Sequence, residues 1–304
     1  ACSSVAGNPS ESANETTFLT TATTTPPASP NATSVIQLTP SPSPSPSPAA
    51  ADPAALAARI HRSARVVDTH NDTMLRIIDN KTWLPVLNLA NPSPTMLDIP
   101  RMISGGLDVA TFAAFSSGFA RAGGGQNFER ANSRLLALIN ALHWTLDMNR
   151  STLSLVDQAC DIDFILNNNR IAVVASIEGA YSLNEANATE LLRQYRDLGI
   201  LMLAPVWNYS NALGEGVNEK YRDGSSSESG LTLLGQQVIL QMNRMGILVD
   251  VSHMNERTFW ETMAVSAAPV IASHSSVYSL WGDVRNLKDE QILAIAAAGG
   301  VIQV

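Results

Sequence analysis

Two short apolar runs that each end in a histidine place the strongest constraint on the fold of this chain. Residues 247–253 read Ile-Leu-Val-Asp-Val-Ser-His, and residues 270–274 read Val-Ile-Ala-Ser-His. A short run of mostly β-branched, apolar residues is typical of a parallel strand that is buried on both faces. Because the carboxyl ends of parallel strands share one rim of a sheet, we expect His253 and His274 to lie together on that rim.

Two earlier apolar runs end in polar residues of the same kind. One leads into Asp68-Thr-His70-Asn-Asp72, and residues 171–177 lead into Glu178. Imidazole nitrogen and carboxylate oxygen are ligands of zinc and other divalent metals, and a carboxylate can bridge two cations. Two such cations about 3.5 Å apart would share a hydroxide that is nucleophilic at neutral pH. The predicted metal ligands are His70, Asp72, Glu178, His253 and His274.

Strand-like and helix-like segments alternate from residue 51 to residue 304, which predicts a parallel α/β sheet with right-handed crossovers. Seven strands are predicted, and the sequence ends inside the seventh. We therefore expect a (β/α)₈ TIM-like barrel that is incomplete at its C-terminus, lacking its last strand and helix, with its chemistry at the carboxyl rim. The predicted strands cover residues 66–69, a segment ending at 115, 171–177, 199–207, 247–252, 270–273 and 301–304; the predicted helices include 128–148, 153–167, 190–198, 231–245, 255–265 and 289–298.

The first 50 residues differ from the rest in composition. They are rich in Ser, Thr and Pro and end in four Ser-Pro pairs, so we predict a disordered linker or stalk. Ala1-Cys2-Ser3-Ser4 is similar to the end of a bacterial lipoprotein signal, which predicts membrane attachment through a lipidated Cys2; the alternative is an arbitrary start. Either a secreted or a lipid-anchored protein would be extracytoplasmic. We expect no disulfide between Cys2 and Cys160, because their settings differ.

The charge of the chain argues against one class of partner. Its formal net charge is -8 and it has no cluster of Lys and Arg, so we expect no nucleic-acid partner. The 45% hydrophobic content is sufficient for a large core in a single folded unit.

Taken together, the motifs resemble the membrane (renal-type) dipeptidase family, zinc peptidases of the amidohydrolase-like barrel class. The order and spacing of these motifs match the family from Asp68 to the last residue, and the segment after Trp207 looks like the bacterial branch. The family's motifs appear as Asp68-Thr-His70-Asn-Asp72, Glu178-Gly179, Asp250-Val-Ser-His253, Ser273-His274-Ser275 and Arg285-Asn286.

The resemblance implies zinc-dependent hydrolysis of dipeptides, with two Zn²⁺ per chain and a metal-bridging hydroxide. Glu178 and Asp72 would serve catalysis, and Arg285 would bind the substrate carboxylate, a role that suits the guanidinium fork. Trp207 stands where other members carry a substrate-contacting histidine, so Trp207 and Asn208 are predicted substrate contacts. Family members commonly dimerise, which allows a homodimer. The family's proton-transferring Asp would lie beyond residue 304.

Three alternatives stay open at this stage. An isolated histidine at a strand end is more often structural than metal-binding, although a cluster of such residues reverses that preference. Asp250 could be a metal ligand, but we expect it to orient His253 instead. The chain could also be a metallohydrolase of another small amide, a lactone or a β-lactam, or an inactive surface-anchored binding protein because of its truncation.

Overall fold

The computed structural model describes residues 52–116, 127–218 and 229–304. Contacts divide the chain into two compact units, Ala1–Leu56 and Ala57–Val304. The account below concerns the second unit. Cys2 and the predicted stalk lie outside the described residues, so the division into a stalk of residues 1–50 and a barrel of residues 51–304 stays a prediction.

Helices and parallel strands alternate along the described chain. No helix in these residues is long and apolar enough to cross a membrane. The elements in chain order are α1 (Pro53–Ser63), β1 (Val67–Asn71), α2 (Met74–Ile77), α3 (Ile99–Ser104), β2 (Val109–Phe115), α4 (Phe128–Met148), β3 (Leu153–Leu155), α5 (Asp161–Asn167), β4 (Ile171–Glu178), α6 (Ala188–Asp197), β5 (Ile200–Ala204), α7 (Leu233–Met245), β6 (Leu248–Val249), α8 (Glu256–Val265), β7 (Ile271–Ala272), α9 (Asp289–Ala297) and β8 (Val301–Ile302).

The strands form a parallel sheet that follows the chain order closely. A six-stranded sheet has the order β1-β2-β4-β5-β6, and β3 pairs with β4 beside this path. β7 and β8 form a second, two-stranded sheet, and a parallel bridge between Asp250 and Ile271 connects it to the end of β6. Helices between successive strands provide the crossovers that parallel pairing requires. The predicted α/β class with a parallel sheet is confirmed.

The last strand comes back to the first one. Gln303, which follows β8, donates from Nε2 to the carbonyl of Val67 at 2.8 Å and accepts from the backbone N–H of Thr69 at 3.1 Å. The Thr69 hydroxyl donates to the carbonyl of Ser273 at 2.6 Å. The sheet therefore curls round so that β1, which carries His70, lies beside the end of β7, which precedes His274. We call these three side-chain bonds the seam.

The sheet supplies much of the hydrophobic core. Every residue of β2 except Phe115 is buried, and every residue of β4 except Val174 is buried. Burial on both faces is expected for strands covered by crossover helices, and it explains why these runs show no polar alternation. Because both faces are occupied, only the strand ends are free to present polar groups.

One prediction of secondary structure is wrong. Residues 153–167 were expected to be helical throughout, but Leu153–Leu155 forms β3 in register with residues 171–173 of β4, and only Asp161–Asn167 is helical. Pairing with a neighbouring strand outweighs the local preference, which is weak over three residues. Asp161 then starts the helix by accepting from the backbone N–H of Gln158 at 2.9 Å. The predicted absence of a disulfide between Cys2 and Cys160 concerns Cys2, which lies outside the described residues, so it stays a prediction.

Candidate metal centre

Glu178 lies at the centre of a polar cluster on the carboxyl rim. It is the last residue of β4 and only 4% exposed. Its Oε2 lies 3.7 Å from Nε2 of His70. Its Oε1 lies 2.9 Å from Nε2 of His253 and 3.4 Å from Nε2 of His274. The two oxygens of one carboxylate therefore face two different groups of imidazoles.

Asp72 belongs to the His70 side of the cluster. Its Oδ1 lies 3.9 Å from Nε2 of His70, and its side chain is exposed where the chain leaves β1 for α2. Ligand atoms of His70, Glu178 and His274 all lie within 4.8 Å of one another. The structure thus brings the predicted ligands together, with His70 and Asp72 near one oxygen of Glu178 and with His253 and His274 near the other.

His253 is held in an unusual backbone conformation by the segment after β5. Its φ is 69°, in the left-handed region that a residue with a side chain rarely adopts. Its carbonyl accepts from Val217 N–H at 3.0 Å, and its Nδ1–H donates to Oδ1 of Asn208 at 2.7 Å. Because the Nδ1 proton is used in this way, neutral His253 presents the lone pair of Nε2 to Glu178.

A chain of hydrogen bonds fixes His274 in the same way. The Ser273 hydroxyl donates its proton to Oδ2 of Asp250 at 2.5 Å, so Oγ of Ser273 accepts from Nδ1–H of His274 at 2.8 Å. Asp250 also accepts from the backbone N–H of Ser273 at 3.1 Å. Nε2 of His274 is therefore unprotonated in the neutral ring. Asp250 was expected to orient His253, but its contacts instead position His274, through Ser273.

Burial and neighbouring groups set the charges in this cluster. Burial lowers the pKa of His253 to about 4, although Glu178 acts in the opposite direction, so the ring is neutral at pH 7. Burial acts to raise the pKa of Glu178, whereas an N–H or a positive charge on the facing imidazoles of His253, His274 and His70 lowers it below the usual range. The pKa of Asp72 is raised by burial and by the charge of Glu178. Glu178 is therefore ionised beside the neutral ring of His253.

This donor set fits metal cations. Nε2 of His253 and Nε2 of His274 are 2.7 Å apart, and both face Oε1 of Glu178. In the neutral rings these three atoms are all hydrogen-bond acceptors, so they cannot bond to one another. A cation between them would bind all three lone pairs. His70 and Asp72 provide the same nitrogen and oxygen chemistry on the other side of Glu178. Imidazole and carboxylate ligands with a bridging Glu suit Zn²⁺.

Arg285 and Trp207 border the cluster on its His253 side. Arg285 donates from Nη2 to the carbonyl of His274 at 2.9 Å, and it lines a cavity of about 190 Å³ together with His253 and Ser275. Burial lowers the pKa of its guanidinium. The Trp207 ring centroid lies 5.8 Å from that of His253 and 5.0 Å from that of Phe115. Both residues are thus placed beside the cluster; their contact with a substrate stays a prediction.

Asn208 contacts a candidate ligand, and this gives a testable expectation. Replacing Asn208 with Ala should weaken zinc binding by about tenfold to a hundredfold, because the bond that fixes the orientation and proton of His253 is lost. Competition with a zinc chelator would measure the change. Asn218→Ala is a suitable comparison, since Asn218 contacts Asn208 only through its backbone N–H among the described bonds. Equal affinity of wild type and Asn208→Ala would show that the bond is dispensable.

Reasoning from the sequence missed two features of this site. The bridging role of Ser273 between Asp250 and His274 was not predicted, although a Ser directly before a strand-end His is a usable signal. The cavity next to Asp72 contains Trp83 and Arg134, which nothing in the sequence marks as neighbours. Their separation in the chain leaves no local pattern to find.

Comparison with known proteins agrees with this geometry. Residues 54–304 match the family model described as membrane dipeptidase, peptidase family M19. The chain belongs to this family. An uncharacterized dipeptidase of Schizosaccharomyces pombe is 31% identical over 81% of this chain and 60% of its own length. Dipeptidase tcpJ of Claviceps purpurea is 28% identical over 79% of this chain and 56% of its own length.

Solved structures of M19 proteins share the fold. A metallopeptidase of Rhodobacter sphaeroides, liganded with a phosphinate mimic of the dipeptide L-Ala-D-Ala, is 27% identical with a TM-score of 0.67, covering 78% of this chain and 72% of that one. The dipeptidase AC, another M19 metallopeptidase, is 28% identical with a TM-score of 0.68, covering 78% and 71%. The resemblance to membrane dipeptidases that the motifs indicated is therefore confirmed. This M19 chain spans about 60% of the fission-yeast relative.

Proposed function

We propose that this M19 chain is a zinc-dependent dipeptidase that binds two Zn²⁺ at the candidate metal centre. The single observation that carries the proposal is the position of Glu178, whose Oε2 faces His70 and whose Oε1 faces His253 and His274. When bound, the two ions would supply a shared hydroxide at neutral pH and would polarise the scissile carbonyl. Glu178 would bridge the ions, and Asp72 would complete the His70 side.

The residues around the centre would hold the ends of a short substrate. Arg285 can bind the terminal carboxylate, because its guanidinium lies beside His253 in a cavity of about 190 Å³. Trp207 would form an apolar wall next to His253, with its orientation fixed by the edge contact to Phe115. Asn208 would act by keeping His253 oriented. Binding at both ends favours dipeptides over longer peptides, which have no free carboxylate at the required distance.

Metal removal tests this proposal. Dialysis against a chelator should reduce bound zinc from about two per chain to near zero and should abolish dipeptide hydrolysis, and added Zn²⁺ should restore both. Elemental analysis measures the metal, and release of free amino acids measures turnover. Tripeptides, a lactone and a β-lactam serve as comparison substrates. Turnover that survives complete zinc removal would contradict the proposal. Faster hydrolysis of the lactone or the β-lactam than of the dipeptide would show that the dipeptide is not the preferred substrate.

We further propose an extracytoplasmic location, either secreted or attached to a membrane by a lipidated Cys2, with a homodimer as the assembly. Support for the location comes only from the Ser/Thr/Pro-rich composition of residues 1–50 and from the Ala1-Cys2 pair. Mass spectrometry of the N-terminal peptide from the natural source would show a mass increase from acyl chains on Cys2. An unmodified Cys2 would contradict lipid attachment and leave a secreted protein as the proposal. Light scattering would measure the molar mass and so test the homodimer.

A further inference from the structure

A large cavity adjoins the candidate metal centre at Asp72. It has a volume of about 980 Å³ and opens beside Asp72. Its walls are mainly apolar and include Trp83 and Met96, and the basic residues among its described lining are Arg76, Arg130 and Arg134. Arg285 lines the smaller cavity with His253, so the two cavities adjoin different residues of the cluster.

Arg134 is the unusual residue in this cavity. Its Nη1 is buried and, within the described part of the chain, has no hydrogen-bond partner. Its guanidinium carbon lies 5.2 Å from the centroid of the Trp83 ring, in a cation–π arrangement. Burial lowers its pKa, and no acidic group among the described residues raises it. A buried donor of a charged group without an acceptor is destabilising, so an anionic group from outside the chain would be stabilised there.

The backbone is strained to place Trp83 under this guanidinium. Trp83 has a φ of 60°, in the left-handed region, and such a conformation costs on the order of 1–3 kcal/mol. The turn that holds it depends on Asp79, whose carbonyl accepts from Trp83 N–H at 2.8 Å and whose carboxylate accepts from Thr82 N–H at 2.8 Å. Strain that is held by its surroundings is concentrated at ligand sites. The Trp83 ring therefore forms a fixed platform on which Arg134 is presented to the cavity.

We propose that this cavity binds the side chain of the substrate's first residue and that Arg134 pairs with a carboxylate at its end, so that dipeptides beginning with Glu or Asp are preferred. The inference rests on the proposed function for the orientation of the substrate. If the terminal carboxylate binds Arg285 and the scissile carbonyl lies over Glu178, the first residue extends toward Asp72. The cavity beside Asp72 then receives its side chain, and Arg134 provides the charge complementary to it.

Binding of substrate analogues that cannot be hydrolysed tests the inference without turnover. The probes are Glu-Ala and Gln-Ala in which the amide carbonyl is replaced by CH₂, and calorimetry on the zinc-loaded protein measures their Kd. The two side chains have the same shape and differ in charge. The wild type should bind the Glu analogue roughly tenfold to a hundredfold more tightly than the Gln analogue, because a buried charge-assisted hydrogen bond is gained.

Three variants assign the preference to Arg134. In Arg134→Met the ratio of the two Kd values should fall to about one, and in Arg134→Lys it should be intermediate, since the charge stays but the planar fork is lost. Arg150→Met is the matched control, because Arg150 follows α4 on the exposed surface and pairs with Asp147. It should keep the wild-type ratio. Melting temperatures of all variants verify that they are folded.

Each result supports or overturns the inference. Equal binding of the two probes by the wild type overturns it, as does a preference that survives in Arg134→Met. Equal weakening of both probes in Arg134→Met also overturns it, because Arg134 would then bind the carboxylate common to all dipeptides. The proposed function is tested separately by hydrolysis of Leu-Ala. A chain that hydrolyses Leu-Ala without preferring the Glu probe would retain the function and lose this inference.

Discussion

Replacing Glu178 with Gln should remove most bound zinc and lower kcat/KM for dipeptides by about a thousandfold or more. The substitution keeps the size of the side chain but removes the negative charge between His70 and the His253–His274 pair. Loss of charge affects both candidate ions at once, because each oxygen of the carboxylate faces a different group of ligands. Elemental analysis and initial rates on the same preparation would measure the two effects together.

A control substitution of another Glu shows whether the loss of zinc and activity is specific to Glu178. Glu185 is exposed in the turn before α6, away from the candidate ligands, so Glu185→Gln should keep zinc and activity at the wild-type level. If Glu178→Gln kept full activity, the two-metal arrangement would be wrong. If it lost activity but kept all of its zinc, Glu178 would act directly on the substrate and not as a bridge between ions.

Replacing Gly216 with Ala should lower the free energy of unfolding by about 3 kcal/mol and weaken zinc binding as well. An added Cβ would overlap the carbonyl oxygen of Trp207 and lie 2.5 Å from the carbonyl carbon of Asn208. Backbone atoms cannot move aside without shifting the segment that carries Asn208. Because Asn208 fixes His253, a stability change at Gly216 should also be measurable at the metal. Urea denaturation and chelator competition would measure the two quantities.

Gly282→Ala provides the control for the glycine substitution. A Cβ at Gly282 would meet nothing closer than 3.8 Å, at the Tyr278 ring, so its effect on stability should be within about 0.5 kcal/mol. Wild-type stability in Gly216→Ala would mean that the segment after β5 moves freely. Lost stability with unchanged zinc affinity would mean that Asn208 keeps its bond to His253 after the shift.

Short apolar runs that end in polar residues predicted the strands and the position of the candidate metal ligands at the strand ends. Apolar runs ending in His253, His274 and Glu178 can be recognised because burial on both faces leaves only the strand ends for polar residues. The same reasoning failed for Leu153–Leu155. This three-residue strand forms because it pairs with β4, and it is too short to show a hydrophobic pattern in the sequence. Motifs identified the family, and strand ends located the site.

Contacts between distant residues could not be predicted in the same way. The contact of Asn208 with substrate stays a prediction, but the sequence did not predict that Oδ1 of Asn208 lies 2.7 Å from Nδ1 of His253, 45 positions away. The expected partner of Asp250 was His253, while its close contact is the Ser273 hydroxyl, which leads to His274. Such pairings depend on the register of neighbouring strands and on side-chain rotamers, which sequence spacing does not determine.

The seam gives one edge of the sheet a different mechanical character from the rest. Within each of the two sheets successive backbone bonds hold neighbouring strands, whereas β1 is tied to the end of the β7–β8 pair by the side chains of Gln303 and Thr69. Side-chain ties open at a lower free energy than a strand ladder, so thermal opening of the molecule should start here. His70 follows one side of the seam and His274 follows the other, and the centroids of their stacked rings lie 3.8 Å apart. Ions bound by His70 and by His274 would both be held by Glu178 and would cross-link the two sides, so metal binding should raise the free energy of local opening.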